Sequence, residues 1–198
     1  MLSFKLRRFL SDNPNASRAL SNAVTTAFAH RSIRLYYFYS DDERLRRAFH
    51  SFPDESSVSI CVRENQSSLD EFLCLLFEVI NSTSEKQFEE IYRAAEAGTV
   101  TKQDFAKGIA QAEFKTTKQV RELLKTIGIH SEDSYYCKAF LHCPDTFDDF
   151  LLYSKKVSRG IDPLGEYESQ YDAIRNSALM VTPPHSTATN LFKKSTNP

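Results

Sequence analysis

The chain has 198 residues, of which 41% are hydrophobic and 26% are charged, so it contains enough apolar residues for a folded core. Its 25 Lys and Arg residues nearly balance its 26 Asp and Glu residues, and the formal net charge is −1. This balance gives no general attraction to nucleic acid, so we expect no nucleic-acid partner. No apolar run approaches the roughly 20 residues that cross a bilayer, which argues against a membrane span.

The four cysteines, Cys61, Cys74, Cys137 and Cys143, show no spacing typical of a disulfide-stabilised domain. Cys74 falls inside a predicted helix, where a disulfide would be hard to form. We therefore expect free thiols, which are typical of a reducing compartment, and a cytoplasmic location.

The N-terminal segment is basic, because residues 1–34 contain six Lys and Arg residues and Asp12 as their single acidic residue. It lacks the uninterrupted apolar stretch of a secretory signal. An organelle-targeting or surface-binding segment is one interpretation. We prefer an ordinary first helix with a solvated basic face, followed by a second helix over Ala16–His30.

Two short segments have the composition of β-strands. Residues 33–39 are rich in β-branched and aromatic side chains, and residues 58–63 alternate Val and Ile with Ser, Cys and Arg. Between them, Ser40–Glu43 has the pattern of a capping box, which predicts a short helix through Phe49. A turn is predicted at Pro53–Ser57.

Capping residues and glycines divide the rest of the chain into helices. The predicted helices span Ser67–Ser82, residues 85–97 before Gly98, Thr101–Ile127 before Gly128, Ser131–His142, Thr146–Val157 and Pro163–Ile174. The predicted fold class is therefore α+β, mainly α, with helices packed on a small antiparallel sheet of strands near residues 33–39 and 58–63. We expect one globular domain over residues 1–180 and a flexible tail over residues 181–198, which contain few apolar residues.

The predicted helix Ser67–Ser82 carries a narrow polar strip. Apolar residues cover more than half of its circumference, and Glu78 lies near the middle of the remainder, with Asn81 on the same strip. A strip of this kind faces solvent in most proteins and a cleft in some. The pattern of this helix alone favours solvent.

Glu113 is the most unusual charge in the sequence. On the long predicted helix it falls within the apolar stripe, between Val120 and Leu124 in angle. A carboxylate on a core-facing stripe is costly unless it is paired, hydrogen-bonded or neutral. Glu113 is therefore either a paired structural residue or part of a site. We expect it to be buried or nearly so, with a basic side chain, a backbone N–H or a polar residue of the Glu78–Asn81 strip as its partner, and the strip is favoured.

The order of a strand, a helix containing Phe77-Glu78-Val79-Ile80-Asn81 and a later helix with Glu113 resembles gluzincin-type zincin metallopeptidases over residues 33–127. In that family the first helix carries His-Glu-x-x-His and a later Glu is the third zinc ligand. The resemblance assigns the catalytic Glu to Glu78, the third ligand to Glu113, and the two His positions to Phe77 and Asn81. A phenyl ring binds no metal and an amide is a poor zinc ligand, so the resemblance implies a zincin-like pseudoenzyme without metal or cofactor.

Three functions remain open from the sequence. The leading one is a non-catalytic zincin-like domain that binds a protein or peptide through a cleft with Glu78, Asn81 and Glu113. The second is a small helical interaction or regulatory protein without enzymatic ancestry. The third is a hydrolase that uses Glu78 with ligands from elsewhere in the chain, which the missing His pair argues against. The sequence does not determine the oligomeric state.

Overall fold

The computed structural model describes residues 2–29, 32–39, 48–54, 57–64, 66–131, 133–157 and 162–179. Within these ranges the protein is mainly helical with a small mixed sheet, which confirms the predicted α+β, mainly α, class. The helices are α1 (Phe4–Asp12), α2 (Pro14–Ala27), α3 (Ser68–Asn81), α4 (Glu85–Ala97), α5 (Lys102–Ile127), α6 (Tyr135–Leu141), α7 (Phe147–Val157) and α8 (Pro163–Leu179). The strands are β1 (Ser32–Phe38), β2 (Ala48–Asp54) and β3 (Ser57–Arg63).

The sheet has the strand order β1-β3-β2 in the described residues. Both strands predicted from the sequence are present, but they are parallel to each other, with Ile33 opposite Val58 and Leu35 opposite Ile60. The expectation of an antiparallel pair was wrong because β2 lies between them in the sequence and reverses the chain direction. β2 then pairs antiparallel with β3, so the complete sheet is mixed.

The short helix predicted through Phe49 is replaced at its end by a strand. Ala48 and Phe49 belong to β2, while Ser40–Glu43 and the rest of that predicted helix lie outside the described residues. In β2, Ala48 pairs with Val62 of β3, and the Phe49 ring contacts Phe38 with centroids 6.0 Å apart. Pairing with distant residues overrides the local capping signal here.

The predicted turn at Pro53–Ser57 is also shorter than expected. β2 continues through Pro53 to Asp54, and β3 begins at Ser57, while residues 55–56 between the two strands lie outside the described part of the chain. A proline is compatible with β2 because, in the described residues, this strand is at an edge of the sheet and its pairing with β3 is irregular between Ser51 and Asp54.

The helix ends follow the local chemistry that the sequence indicated. The Ser67 hydroxyl accepts a hydrogen bond from the backbone N–H of Asp70 at 3.1 Å, which caps α3. Gly98 and Gly128 end α4 and α5 with φ angles of 71° and 73°, a left-handed conformation that glycine adopts at little cost. In α1, Leu6 is buried while the basic residues are exposed, as in the interpretation that we preferred for this segment.

Two hydrophobic clusters share the long helix α5. The first packs α1, α2, the sheet, α3 and α6 against the C-terminal half of α5, and Phe72 and Leu124 are among its fully buried residues. The second packs α4 and α8 against the N-terminal half of α5 around Phe105 and Ile109. Since α5 contributes to both clusters, the predicted single domain remains our expectation, and the predicted tail lies outside the described residues.

The remaining sequence predictions concern the membrane and the thiols. In the described ranges, none of the helices has the length and apolar composition needed to cross a bilayer. All four cysteines are free thiols, as expected, and three of them are buried.

Candidate functional site

β2 places His50 against the polar strip of α3. The Nδ1 atom of His50 and the Oε2 atom of Glu78 are 2.6 Å apart, and the two side chains are 11% and 10% exposed. A hydrogen bond of this length between two nearly buried groups fixes both side chains. It also joins the edge strand β2 to α3.

Asn81, one turn further along the strip, faces α5. The hydroxyl of Thr116 donates a hydrogen bond to the side-chain oxygen of Asn81 at 2.9 Å, and both residues are buried. We name His50, Glu78, Asn81 and Thr116 the polar row. The row is buried between β2, α3 and α5, so the strip does not face solvent as the helix pattern alone favoured.

Glu113 lies on α5, one turn before Thr116, and its side chain reaches a different element. The phenol of Tyr167 on α8 donates a hydrogen bond to Oε2 of Glu113. Glu113 is half-buried rather than fully buried, and Tyr167 is a partner that the sequence did not indicate. The three residues predicted for one cleft are therefore held by three different elements: Glu78 by β2, Asn81 by α5 and Glu113 by α8.

The side chain at the first position where a zincin would carry a histidine also makes a contact inside the fold. Phe77 stacks on Phe140 of α6 with ring centroids 5.7 Å apart. Within the described ranges, no group of three His, Cys, Asp or Glu side chains is placed to hold a metal ion. With a phenyl ring at one position and a hydrogen-bonded amide at the other, the residues present do not fit a zinc ion.

Glu78 of the polar row affects the pKa of a nearby cysteine, Cys61, in the direction that disfavours its thiolate. Burial raises the pKa of the Cys61 thiol, and the charge of Glu78 raises this pKa further. A raised thiol pKa keeps the sulfur protonated at neutral pH, whereas nucleophilic attack needs the thiolate. Burial and the charge of Glu78 therefore both disfavour the thiolate form of Cys61.

A second polar cluster, which the sequence did not reveal, lies at the start of α3. Glu71 is 1% exposed, and its Oε2 accepts a hydrogen bond from the Ser3 hydroxyl at 2.8 Å. The backbone N–H of Ser3 donates to the Tyr37 hydroxyl at 2.9 Å. The cluster thus links the N-terminus, β1 and α3. The sequence shows only an acidic residue, Glu71, in the first turn of a helix. Acidic residues are common in such turns, where they are usually exposed, so this pattern does not predict a buried cluster.

Tyr37 in this cluster gives a prediction about alkaline pH. Burial, followed by the hydrogen bond and charge of Glu71, raises the pKa of Tyr37 to about 12 from a usual value of 10.0. The folded protein therefore keeps this proton while the unfolded chain loses it, so stability should fall as pH rises from 10 towards 12. Urea midpoints should fall more steeply with pH for the wild type than for Tyr37→Phe. The control Tyr36→Phe, at an exposed position of β1, should retain the wild-type slope; equal slopes for all three proteins would contradict the assignment.

An apolar groove lies beside α3, on a face next to the one that carries the polar row. Its volume is about 390 Å³, and α1, α2, β1 and α3 supply its walls and floor. The lining residues are Leu2, Leu10, Ser17, Leu20, Ser21, Val24, Ile33, Leu35, Leu75 and Val79. None of the residues that the sequence singled out for a site lies in this groove.

The comparisons with known proteins add no relative. No family model matches the chain, and neither a curated protein nor a solved structure is significantly similar to it. The function therefore has to be argued from the geometry of the polar row and the groove.

Proposed function

We propose that the protein is a non-catalytic zincin-like domain that binds a protein or a peptide. The order of elements supports this proposal, because β3 leads into α3 with Glu78 and α5 follows with Glu113. The observation that carries it is the use of both former histidine positions for internal contacts. Phe77 packs on Phe140, and Asn81 accepts a hydrogen bond from Thr116.

Glu78 has a structural role in this proposal. In a zinc peptidase the corresponding carboxylate must reach a metal-bound water. Here Glu78 is 8% exposed and is bonded to His50, so its oxygen is used to hold β2 against α3. A domain that keeps the arrangement of a peptidase without its chemistry retains binding as its remaining function.

Two alternatives predict different outcomes. A helical interaction protein without enzymatic ancestry would have the same internal contacts. Histidines introduced at positions 77 and 81 would not form a zinc site with Glu113 in such a protein. A hydrolase is favoured only by the His50–Glu78 contact, since a carboxylate that orients an imidazole is a common catalytic arrangement. Peptide hydrolysis that disappears in Glu78→Gln would favour this last alternative over the proposal.

Zinc binding tests the proposal directly. The wild-type protein, dialysed against zinc and then against zinc-free buffer, is expected to retain far less than one zinc ion per chain by elemental analysis. The variant that combines Phe77→His with Asn81→His recreates His-Glu-x-x-His, and the resemblance assigns the third ligand to Glu113 on α5. If the arrangement is zincin-like, this variant should retain close to one zinc ion per chain.

The wild type and the double variant test different parts of the proposal. Stoichiometric zinc on the wild type would contradict the pseudoenzyme proposal. A folded double variant that binds no zinc would contradict the zincin-like arrangement and favour the helical interaction protein. Circular dichroism of the double variant is the control for folding, and Phe77→His alone is the control for a single added imidazole.

A further inference from the structure

We propose that the exposed face of α1 binds the surface of an anionic lipid bilayer, with the Phe4 ring inserted among the head groups and Arg7 and Arg8 bound to their phosphates. None of these three side chains belongs to the polar row or lines the apolar groove. The proposal is therefore separate from the proposed function, since it concerns a different surface and a different class of partner.

The first argument is the position of Phe4 on the helix. One side of α1 faces the core, where Leu6 is 0% exposed and Phe9 is partly buried. Phe4 lies nearly opposite Leu6 around the helix axis, and it is 72% exposed. The centre of a solvent-facing helix side is normally polar. A projecting phenyl ring at this place gains free energy from a partner that offers it an apolar medium.

The second argument is the pair of arginines beside this ring. Arg7 and Arg8 are exposed and flank Phe4, because residues three and four positions apart are neighbours on a helix surface. Arg8 Nε lies 3.9 Å from Asp12 Oδ2, and these side chains are 77% and 67% exposed, so the ion pair holds the arginine only weakly. A guanidinium can bind phosphate oxygens through two parallel hydrogen bonds. Both arginines can therefore bind head groups next to the inserted ring.

The third argument is the distribution of charge along the chain. Residues 1–34 contain six basic residues and one acidic residue, although the formal net charge of the whole chain is −1. The ammonium group of Lys5 is bonded to the backbone carbonyl oxygens of Glu64 and Gln66, which accept its protons without neutralising its charge. This asymmetry orients the N-terminal helix towards a negatively charged surface.

The small apolar area of this face favours a bilayer over a protein partner. A stable protein interface buries about 800 Å² on each partner, and one projecting ring between two arginines supplies only part of that area. A bilayer needs no complementary pocket, because it accepts an aromatic ring at the level of its head groups. Duplex nucleic acid would pair with the arginines, but it offers no apolar medium to Phe4.

Vesicle binding tests the requirement for charge. At low salt, the wild type should bind vesicles with about 30% phosphatidylserine at least about tenfold more tightly than phosphatidylcholine vesicles, and about 0.5 M NaCl should remove this difference. Arg7→Gln combined with Arg8→Gln should weaken binding to the anionic vesicles at least about tenfold. The matched control, Lys107→Gln with Lys115→Gln, removes two exposed charges from α5 and should change binding less than about twofold. Asp12→Asn should strengthen binding about threefold, since it removes the acidic residue of this face.

A single tryptophan tests the insertion of the ring. The chain contains no tryptophan, so an introduced indole is the only one that emits. In Phe4→Trp, anionic vesicles should shift the emission to shorter wavelength and protect it from iodide, because the indole enters an apolar medium. Leu152→Trp on α7 is the matched control, since Leu152 is 69% exposed, and its emission should not change. Phe4→Ala should weaken vesicle binding at least about fivefold.

The contrary results can be told apart. Absence of binding to the anionic vesicles, or equal weakening by the arginine pair and the lysine pair, would overturn α1 as a lipid-binding surface. Vesicle binding without an emission shift in Phe4→Trp would contradict insertion of the ring. If a labelled DNA duplex binds through Arg7 and Arg8 while vesicles do not, the face is a nucleic-acid site. Zinc on the wild-type chain would overturn the proposed function and leave each of these outcomes unchanged.

Discussion

Replacing Glu78 by leucine is expected to lower the free energy of unfolding by about 3 kcal/mol, because the nearly buried imidazole of His50 loses the carboxylate to which it is bonded. Glu78→Gln should cost less, about 1 kcal/mol, since an amide oxygen can still accept a hydrogen bond from Nδ1. Urea unfolding followed by circular dichroism measures both changes. The control is Glu89→Leu on α4, which removes an exposed ion pair with Arg93 and should change stability by less than about 0.5 kcal/mol.

A double-mutant cycle that combines Glu78→Leu with His50→Phe measures the interaction energy between these two side chains, apart from the effect of each substitution on its other neighbours. If the bond between His50 and Glu78 is what stabilises the fold, the two single costs should not add in the double variant, and the coupling should be about 1–3 kcal/mol. Additive costs would show that the contact contributes little. Unchanged stability of Glu78→Leu would contradict a structural role and favour the hydrolase alternative.

The sequence predicts the helices of this protein well because their ends depend on local chemistry. Ser67 caps the first turn of α3, and Gly98 and Gly128 provide the left-handed residues that end α4 and α5. Each of these signals acts within one helical turn, so neighbouring residues are sufficient to read it.

The sheet was harder to predict because strand pairing depends on distant residues. Ala48 and His50 lie in β2 because they pair with Val62 and Ile60 of β3, and no local pattern specifies this register. The capping box at residues 40–43 instead favoured a helix, which removed His50 from consideration as a partner for Glu78. The wrong expectation of an antiparallel pair of β1 and β3 followed from the same omission, since without β2 the two strands seemed consecutive in the sheet.

The shared cleft of Glu78, Asn81 and Glu113 stays a prediction. The helical wheels placed the three residues on their helices, and in the structure each of them has a hydrogen-bond partner within the fold. They could not identify those partners, because a wheel gives the angle of a side chain and not the element that packs against it. Tyr167 is on α8, far from Glu113 in sequence. Glu71 was missed for the same reason, since its burial depends on Ser3 and Tyr37.

The apolar groove was not predicted because its lining comes from four elements. Val24, Leu35 and Leu75 appear in the sequence as ordinary core positions of two helices and a strand. The groove forms where α1, α2, β1 and α3 come together, and each of these elements lines part of it. The arrangement of elements, rather than any motif, therefore creates the groove.

Truncating one large residue in each hydrophobic cluster should have the largest effect on stability and tests whether the described chain is one domain. Phe72, in the first cluster, is fully buried and its ring contacts Phe9 with centroids 5.4 Å apart. Phe105, in the second cluster, is fully buried against Tyr92 and Tyr171. Phe72→Ala and Phe105→Ala should each lower the free energy of unfolding by about 3–5 kcal/mol, through lost apolar contacts and the cavity that remains.

Because α5 contributes to both clusters, either substitution should destabilise the whole molecule. Thermal unfolding should show one cooperative transition in the wild type and in both variants, with the midpoint lowered in each variant. The control is Phe4→Ala, whose side chain is 72% exposed and which should change stability by less than about 0.5 kcal/mol. Two transitions, of which Phe72→Ala shifts only one and Phe105→Ala only the other, would show that the clusters unfold independently. In that case the groove would belong to the unit built around Phe72, which is the larger of the two clusters.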